Sequence, residues 1–361
     1  MMKILQSLLR AAMILGAWLA VQSGVAAPLE DPLLRPAMRS LRAQGAVMQA
    51  VVRAGSRLVS AGERGIILLS DDNGLHWRQA AVPVSVSLTA LSFPSPRKGW
   101  AAGHAGVLLH TEDGGETWQL QLDGRRAAEL YAESARNSSL SDQAALTRLR
   151  QDAERMLADG PDKPFLDVHF VSDYVGFAVG AYGLVFRTRD GGRQWQPLMG
   201  RLSNPKALHF YAVKGMPRAI YLAGEQGMLW RSTDLGEHFE RLSSPYSGSL
   251  FALQVLSDEA LLVGGLKGQV FRSSDAGRSF SQASGVMPVS INAFAKQGDG
   301  TLWLINQAGW LQFSIDQGAH WQTLDALRPG RINALELSAD ERLIVAGFRG
   351  LQRLDLPTNK P

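Results

Sequence analysis

The octet TEDGGETW at 111–118 has a near-copy, TRDGGRQW, at 188–195, and four further matches follow the same template. These are SDDNGLHW from Ser70, STDLGEHF from Ser232, SSDAGRSF from Ser273 and SIDQGAHW from Ser314. The template is Ser/Thr-x-Asp-x-Gly-x-x-Trp/Phe, and its recurrence makes the chain a repeat protein, which limits the available folds more than composition does. The template aspartates Asp72, Asp113, Asp190, Asp234, Asp275 and Asp316 are 41, 77, 44, 41 and 41 residues apart. A period near 41 matches one four-stranded propeller blade of about 40–45 residues. The 77-residue interval holds one period and an insertion.

Each period has the same internal order. From Ser249 it runs LFALQVL, EALLVGG, GQVFRSS, the octet and then FSQA. Short runs of Val, Leu and Phe punctuated by Gly, Asp and Ser read as strands and turns. Three strands precede the octet and a fourth contains or follows its aromatic, with the first strand lining a central channel. The octet is then the turn between strands three and four. Its Asp accepts bonds from backbone N–H groups of its own turn, its Gly permits a positive φ, and its Ser/Thr hydroxyl adds a second local bond. The closing aromatics Trp77, Trp118, Trp195, Phe239, Phe280 and Trp321 return to the hydrophobic layer between blades. SDDNG at Ser70 looks like a calcium loop but lacks further carboxylates at the right intervals, so no metal is expected.

A seventh unit, INALELSADERLIVAGFRGLQRLDL from Ile332, repeats three strands without an octet. The segment 28–45, PLEDPLLRPAMRSLRAQG, is the expected donor of the missing strand. The expected architecture is therefore an all-β, seven-bladed propeller over residues 46–361, with an N-terminal strand closing the last blade and a helical insertion at 123–162. Within that insertion, SLSDQAALTRLRQDAERML starts at a capping Ser141 or Asp142 and DGP stops it at 159–161. Two short amphipathic helices are expected there.

Residues 1–27 read as a cleaved secretory signal: Lys3 and Arg10 precede the apolar run AAMILGAWLAV, and VAA ends at Ala27. That run is shorter than the ~20 residues a spanning helix needs. With no cysteine, disulfides and a cysteine-linked lipid anchor are excluded. A periplasmic monomer, peripheral to an inner membrane, is the expected setting for a bacterial source. A net charge of +4 carries no nucleic-acid signature.

The octet resembles the Asp-box, or bacterial neuraminidase repeat. The longer pattern, a Gly-x-x-Gly turn, an apolar strand and the octet, stands here as GERGIILLSDDNGLHW, GHAGVLLHTEDGGETW, GAYGLVFRTRDGGRQW, GEQGMLWRSTDLGEHF and GLKGQVFRSSDAGRSF. It is similar to the photosystem II stability/assembly factor family over residues 46 to 356. The resemblance implies a seven-bladed propeller that escorts membrane-protein assembly, with a membrane or periplasmic protein complex as partner and no cofactor. The motif is specific for fold and weak for function.

In a propeller the strand two–three turns lie on one face and the octets on the other. The paired turn residues should therefore ring the channel mouth: Glu63 and Arg64, His104 and Ala105, Ala181 and Tyr182, Glu225 and Gln226, Leu266 and Lys267, Gln307 and Ala308, Phe348 and Arg349. Arg64, His104, Tyr182, Glu225, Gln226, Lys267, Gln307, Phe348 and Arg349 are the expected partner-binding rim. The insertion falls on the same face, as a docking arm, a lid or an inert addition.

Carbohydrate binding or sialidase-like glycoside hydrolysis at the channel mouth is the competing expectation, since Asp-boxes occur in sialidases. Such enzymes need an arginine cluster, a Tyr nucleophile and an acid–base carboxylate. LLRPAM at 33–38 is not their Arg-Ile-Pro segment. The polar members of the first strands, His169, Tyr211, Gln254, Asn292 and Asn333, offer no carboxylate pair. His76, His238 and His320 inside octets read as surface residues, and no other catalytic motif stands in the chain. A non-catalytic binding module is the reading carried forward, without catalytic residues.

Overall fold

The computed structural model describes residues 30–324 and 330–355. Of a first compact unit, Met1–Asp31, only Glu30 and Asp31 are described, in neither helix nor strand, so the expected signal segment lies outside the described residues. The second unit, Pro32–Pro361, carries seven antiparallel sheets: six of four strands and, among the described residues, one of three. In the first blade Met48–Ala54, Arg57–Gly62, Ile67–Ser70 and Arg78–Gln79 pair in that order. Second strands such as Gly99–Gly103, Gly176–Gly180 and Leu343–Gly347 are buried at every position because a neighbouring blade covers each face. Outermost strands with octets before them are short, most only two residues, which limits edge pairing.

The octets form the expected staple. Ser70 Oγ donates to Asp72 Oδ1 (2.8 Å) and accepts from Gly74 N (2.8 Å), while Asp72 Oδ1 accepts from His76 N (2.9 Å). The same set recurs around Asp113, Asp190, Asp234, Asp275 and Asp316. The residue before the glycine is also left-handed, with Asn73 at φ 60° and Leu235 at φ 56°. The aromatics fold back: Trp77, Trp118 and Trp321 donate Nε1 to the octet glycine carbonyl at 3.2, 2.9 and 3.1 Å. Trp118, Trp195 and Trp321 are buried, and Trp77, Phe239 and Phe280 pack on the core from half-buried positions.

Three octets also seat a neighbour. A Cβ on Gly74 would stand 2.7 Å from Ile344 Cδ1 of blade 7, one on Gly236 2.8 Å from Phe177 of blade 3, and one on Gly318 2.7 Å from Leu262 of blade 5. Only a glycine leaves room for the strand-two knob of the preceding blade. Strand-three arginines also span seams, 3/4, 4/5 and 7/1: Arg187 Nη1 donates to Leu235 O (2.7 Å), Arg231 to Ala276 O (2.8 Å) and Arg353 to Asn73 O (2.9 Å).

The last of these closes the ring, and it corrects the expected closing strand. Among the described residues, 32–45 forms no strand with blade 7; it holds one 3-10 turn, Ala43–Gly45, and otherwise runs as a strap along blade 1. Ser85 N donates to Pro32 O (2.9 Å) and Ala37 N to Val82 O (3.0 Å). Pro32 and Pro36 cannot donate to a ladder, and burial of Leu33 against blades 1 and 2 holds the segment there. The seam between blades 7 and 1 is instead packed by Met48, Leu58 and Leu68 against Ile344 and Ala346, and Asn333 Nδ2 donates to Met48 O (2.9 Å).

The insertion forms two helices, α1 (Gly124–Arg136) and α2 (Gln143–Asp159). Asp123 caps α1 through Arg126 N, and Asp142 caps α2 through Ala144 N and Ala145 N. Ala127, Ala128, Tyr131, Ala132 and Ala135 are buried in one core with Leu122, Phe165 and Trp195 and with Leu149, Ala153 and Met156 of α2. The pair is thus welded to blades 2 and 3, which is firmer than a free docking arm requires.

Candidate functional site

The rim turns are built from the backbone outward. In the first, Arg64 at φ 55° and Gly65 at φ 74° make a two-residue type I′ hairpin, closed by Ile66 N donating to Glu63 O (3.0 Å). Ala105, Tyr182, Gln226 and Lys267 occupy the same left-handed position. In all seven blades the first turn residue donates its N–H to the carbonyl just before strand one of its own blade: Glu63 to Val47, His104 to Ser87, Ala181 to Pro164, Glu225 to His209, Leu266 to Ser249, Gln307 to Ser290 and Phe348 to Arg331. The leading glycine lets that carbonyl approach, since a Cβ on Gly62, Gly180 or Gly265 would collide with it. The trailing glycine, at positive φ, lies against the connector to another blade or, at Gly350, against Gln44 O of the strap. Rim side chains therefore stand on clamped turns.

The nine expected rim residues fall into sectors. Arg64, Phe348 and Arg349 belong to adjacent blades 1 and 7, are exposed, and share the sector with Arg331, whose guanidinium lies 6.0 Å over the Phe348 ring. Tyr182, Glu225 and Gln226 belong to blades 3 and 4. There Tyr182, His209, Tyr211 and Phe251 form a continuous aromatic run with centroid spacings of 5.1, 6.3 and 5.0 Å. Glu225 is committed to structure: it accepts from His209 N (2.8 Å) and the Tyr211 hydroxyl (3.2 Å). Burial, then this carboxylate, pushes the Tyr211 phenol up. Exposed Lys267 and Gln307 stand on blades 5 and 6, and His104 stands on blade 2 beside α1.

Two cavities open on this face. One, about 440 Å³, is the channel mouth lined by Gln49, Phe251, Leu266, Ser290, Asn292, Gln307 and Asn333. Its polar lining comes from a β-bulge in the first strand of every blade, placing Gln49, Thr89, Leu166, Tyr211, Phe251, Asn292 and Asn333 at one register position. The other, about 340 Å³, is a cleft between α2 and the 199–207 connector, with Tyr182, Lys163, Arg148, Arg155 and Arg201 on its walls. Lys163 lies 5.1 Å from the Tyr182 ring centre and is held by Asp159 (2.7 Å) and Asp162 (2.9 Å). The sequence reading missed this cleft, although Arg148, Asp152 and Arg155 recur at helical spacing.

Elsewhere on the first strands the reading missed the charged side chains Asp167, Lys214 and Glu336. Asp167 accepts from Val213 N (2.9 Å) and Lys214 Nζ (2.7 Å). Burial, then the Lys214 charge, pulls the His169 imidazole down to about 4, and its Nε2 donates to Gly215 O (2.9 Å). Burial pushes the Glu336 carboxyl up, on blade 7, while Asp167 belongs to blade 3 across the ring. His76, His238 and His320 are exposed as expected, yet each holds its octet aspartate through Nδ1. In the SDDNG loop Asp72 is engaged by Ser70 and by the backbone and ring of His76. Among the described residues no helix is long and apolar enough to cross a membrane.

A family model described as photosynthesis system II assembly factor YCF48 matches residues 51–139 and 155–343. The chain is 27% identical over 225 residues to the chloroplastic photosystem II stability/assembly factor HCF136 of Cyanidioschyzon merolae, covering 58% of this chain and 49% of the relative. It is 39% identical over 66 residues to the photosystem II assembly protein Ycf48 of Thermosynechococcus vestitus, 17% of this chain and 19% of that protein. The matches thus span about half or less of these curated relatives. A solved YCF48 bound to a D1 peptide superposes with a TM-score of 0.62 at 16% identity, covering 87% of this chain and 95% of the other, a likeness of fold.

Proposed function

The chain belongs to the photosynthesis system II assembly factor YCF48 family, and from that premise we propose that it is an exported, non-catalytic propeller whose rim face captures a membrane-protein partner. One observation carries this reading. Seven turns share one backbone clamp, yet their exposed side chains differ from blade to blade, so the fold does not dictate them. Arginine, lysine, aromatic and amide groups on rigid loops are the chemistry of a protein-recognition surface. A peptide ligand in a solved family structure supports the same class of partner. The periplasmic side of an inner membrane is the setting the reading requires.

The test is charge reversal at three exposed rim positions, Arg64→Glu, Lys267→Glu and Arg349→Glu, followed by crosslinking and capture from cells. The triple variant is expected to lose the membrane protein that the parent captures. Surface changes of this kind cost about 0.5 kcal/mol or less each, so melting should stay near the parent value. Undiminished capture refutes the rim assignment. Removing the insertion is not an equivalent test, because α1 supplies buried side chains to the propeller core.

A further inference from the structure

The strap along blade 1 has a property its structural role does not require. Leu33, Ala37 and Ala43 turn inward and pin it to the propeller. Between these anchors Leu34 and Met38 are 76% and 74% exposed, and Leu41 is fully exposed. Three of the ten large apolar side chains exposed among the described residues thus stand within eight consecutive residues. Isolated exposed apolar residues need no explanation, but such a cluster marks a contact surface.

The intervening positions are as uniform. Arg35, Arg39 and Arg42 are exposed; Arg35 donates Nε to Ser85 Oγ (3.1 Å), and the guanidinium groups of Arg39 and Arg42 meet no carboxylate among the described residues. The strap also abuts two rim turns. Ala37 Cβ lies 3.2 Å from where a Cβ on Gly65 would stand, and Gln44 O touches Gly350. It therefore borders the sector of Arg64, Phe348 and Arg349.

We propose that the strap is a peripheral membrane-binding element, seating Leu34, Met38 and Leu41 among the headgroups of an anionic phospholipid bilayer with Arg35, Arg39 and Arg42 on the lipid phosphates. Alternating bulky apolar and cationic side chains on an irregular segment suit a bilayer, which asks for apolar insertion and positive charge but no matching pockets. The strap follows the expected export segment by only a few residues, so it reaches the membrane surface as the chain is delivered. The proposal does not depend on the rim reading, because the strap's six side chains lie outside the nine rim positions. It adds an orientation: a membrane-seated strap turns the rim sector of blades 7 and 1 toward the bilayer.

The experiment is vesicle co-sedimentation of the chain from Pro28 onward, with vesicles of phosphatidylethanolamine and phosphatidylglycerol against vesicles of phosphatidylcholine alone. The parent should prefer the anionic vesicles, and salt should weaken binding. One basic residue near an anionic surface contributes roughly fivefold in partitioning, so Arg39→Gln with Arg42→Gln should lower it by about 30-fold. Leu34→Ser, Met38→Ser and Leu41→Ser should reduce binding to both vesicle types. All five positions are exposed, so circular dichroism and melting should be unchanged, and partner capture should survive. Equal binding of parent and variants, or a parent without anionic preference, overturns the proposal. Loss of partner capture by the strap variants, with a parent that binds neither vesicle type, overturns it too, and assigns the strap to a protein. Failure of the rim triple variant alone leaves vesicle binding intact, so the two readings fail separately.

Discussion

Truncating Ile344 tests how this ring is closed. Ile344 is 1% exposed, points into the notch at Gly74, and shares a core with Met48, Val51, Leu58 and Leu68. Ile344→Ala removes three buried carbons, worth about 2.4 kcal/mol at roughly 0.8 each. Gly74 is held in its turn by its N–H bond to Ser70 Oγ and cannot move in to fill the notch, so a residual cavity adds about 1 kcal/mol, for a total of about 3.5 kcal/mol, within the observed range. Leu262→Ala, at the equivalent knob between blades 5 and 6, should cost about the same. The two should differ in where the loss appears. Blades 5 and 6 are joined by the continuing chain, whereas among the described residues blades 7 and 1 share neither a strand nor a direct connection. The loss at Ile344 is therefore concentrated in local opening of one seam. Hydrogen exchange should accelerate across Ile332–Leu337, Leu343–Gly347 and Met48–Ala54 in Ile344→Ala, but only with global unfolding in Leu262→Ala. Matching exchange patterns in the two variants would refute a seam held only by side-chain packing and hydrogen bonds, with no shared strand.

Two pH effects follow from the carboxyl groups. The Ser279 hydroxyl and then its backbone N–H pull Asp275 from 3.8 down to about 2, and the His76 backbone N–H and then its ring lower Asp72. A depressed carboxylate stabilises the fold above its unfolded value, and that stability is lost as pH falls through the folded one. Urea midpoints of the parent should drop between about pH 4 and 2, and Asp72→Asn with Asp275→Asn should start lower at neutral pH and fall less over that window. Glu336 has the opposite sign: burial raises it above 4.5, so its contribution is whole below that value and is lost as pH rises through the folded one. Glu336→Gln should melt higher than the parent at about pH 7 and with the parent at about pH 4; an equal shift at both would refute the assignment.

The fold was legible because one octet encodes several constraints together. Asp, Gly and the aromatic each have a bonded or packed role, so their spacing reported both the turn and the blade period. The insertion was legible from its capping Asp142 and apolar spacing. The closing strand was misread because a blade short of one strand implies a donor, whereas Arg353 and Ile344 close the seam with the devices used elsewhere. Of the rim, exposure was foreseen, but the capture of Glu225 by His209 N and Tyr211 depends on a neighbouring strand and has no local signal. The cleft beside α2 arises where helix and blade connector meet, a juxtaposition of residues about fifty positions apart.

The left-handed rim position has a consequence for how such a surface can change. Arg64, Ala105, Tyr182, Gln226 and Lys267 occupy it at φ between 51° and 56°, and none is β-branched or proline. Bulk at Cβ is penalised there, while everything beyond Cβ projects from a turn already fixed by its two glycines. The position behaves as a typeface slot that accepts many characters without disturbing the page. A lineage, or an engineer, can rewrite the affinity of this face one blade at a time, with valine, isoleucine, threonine and proline as the letters it cannot print.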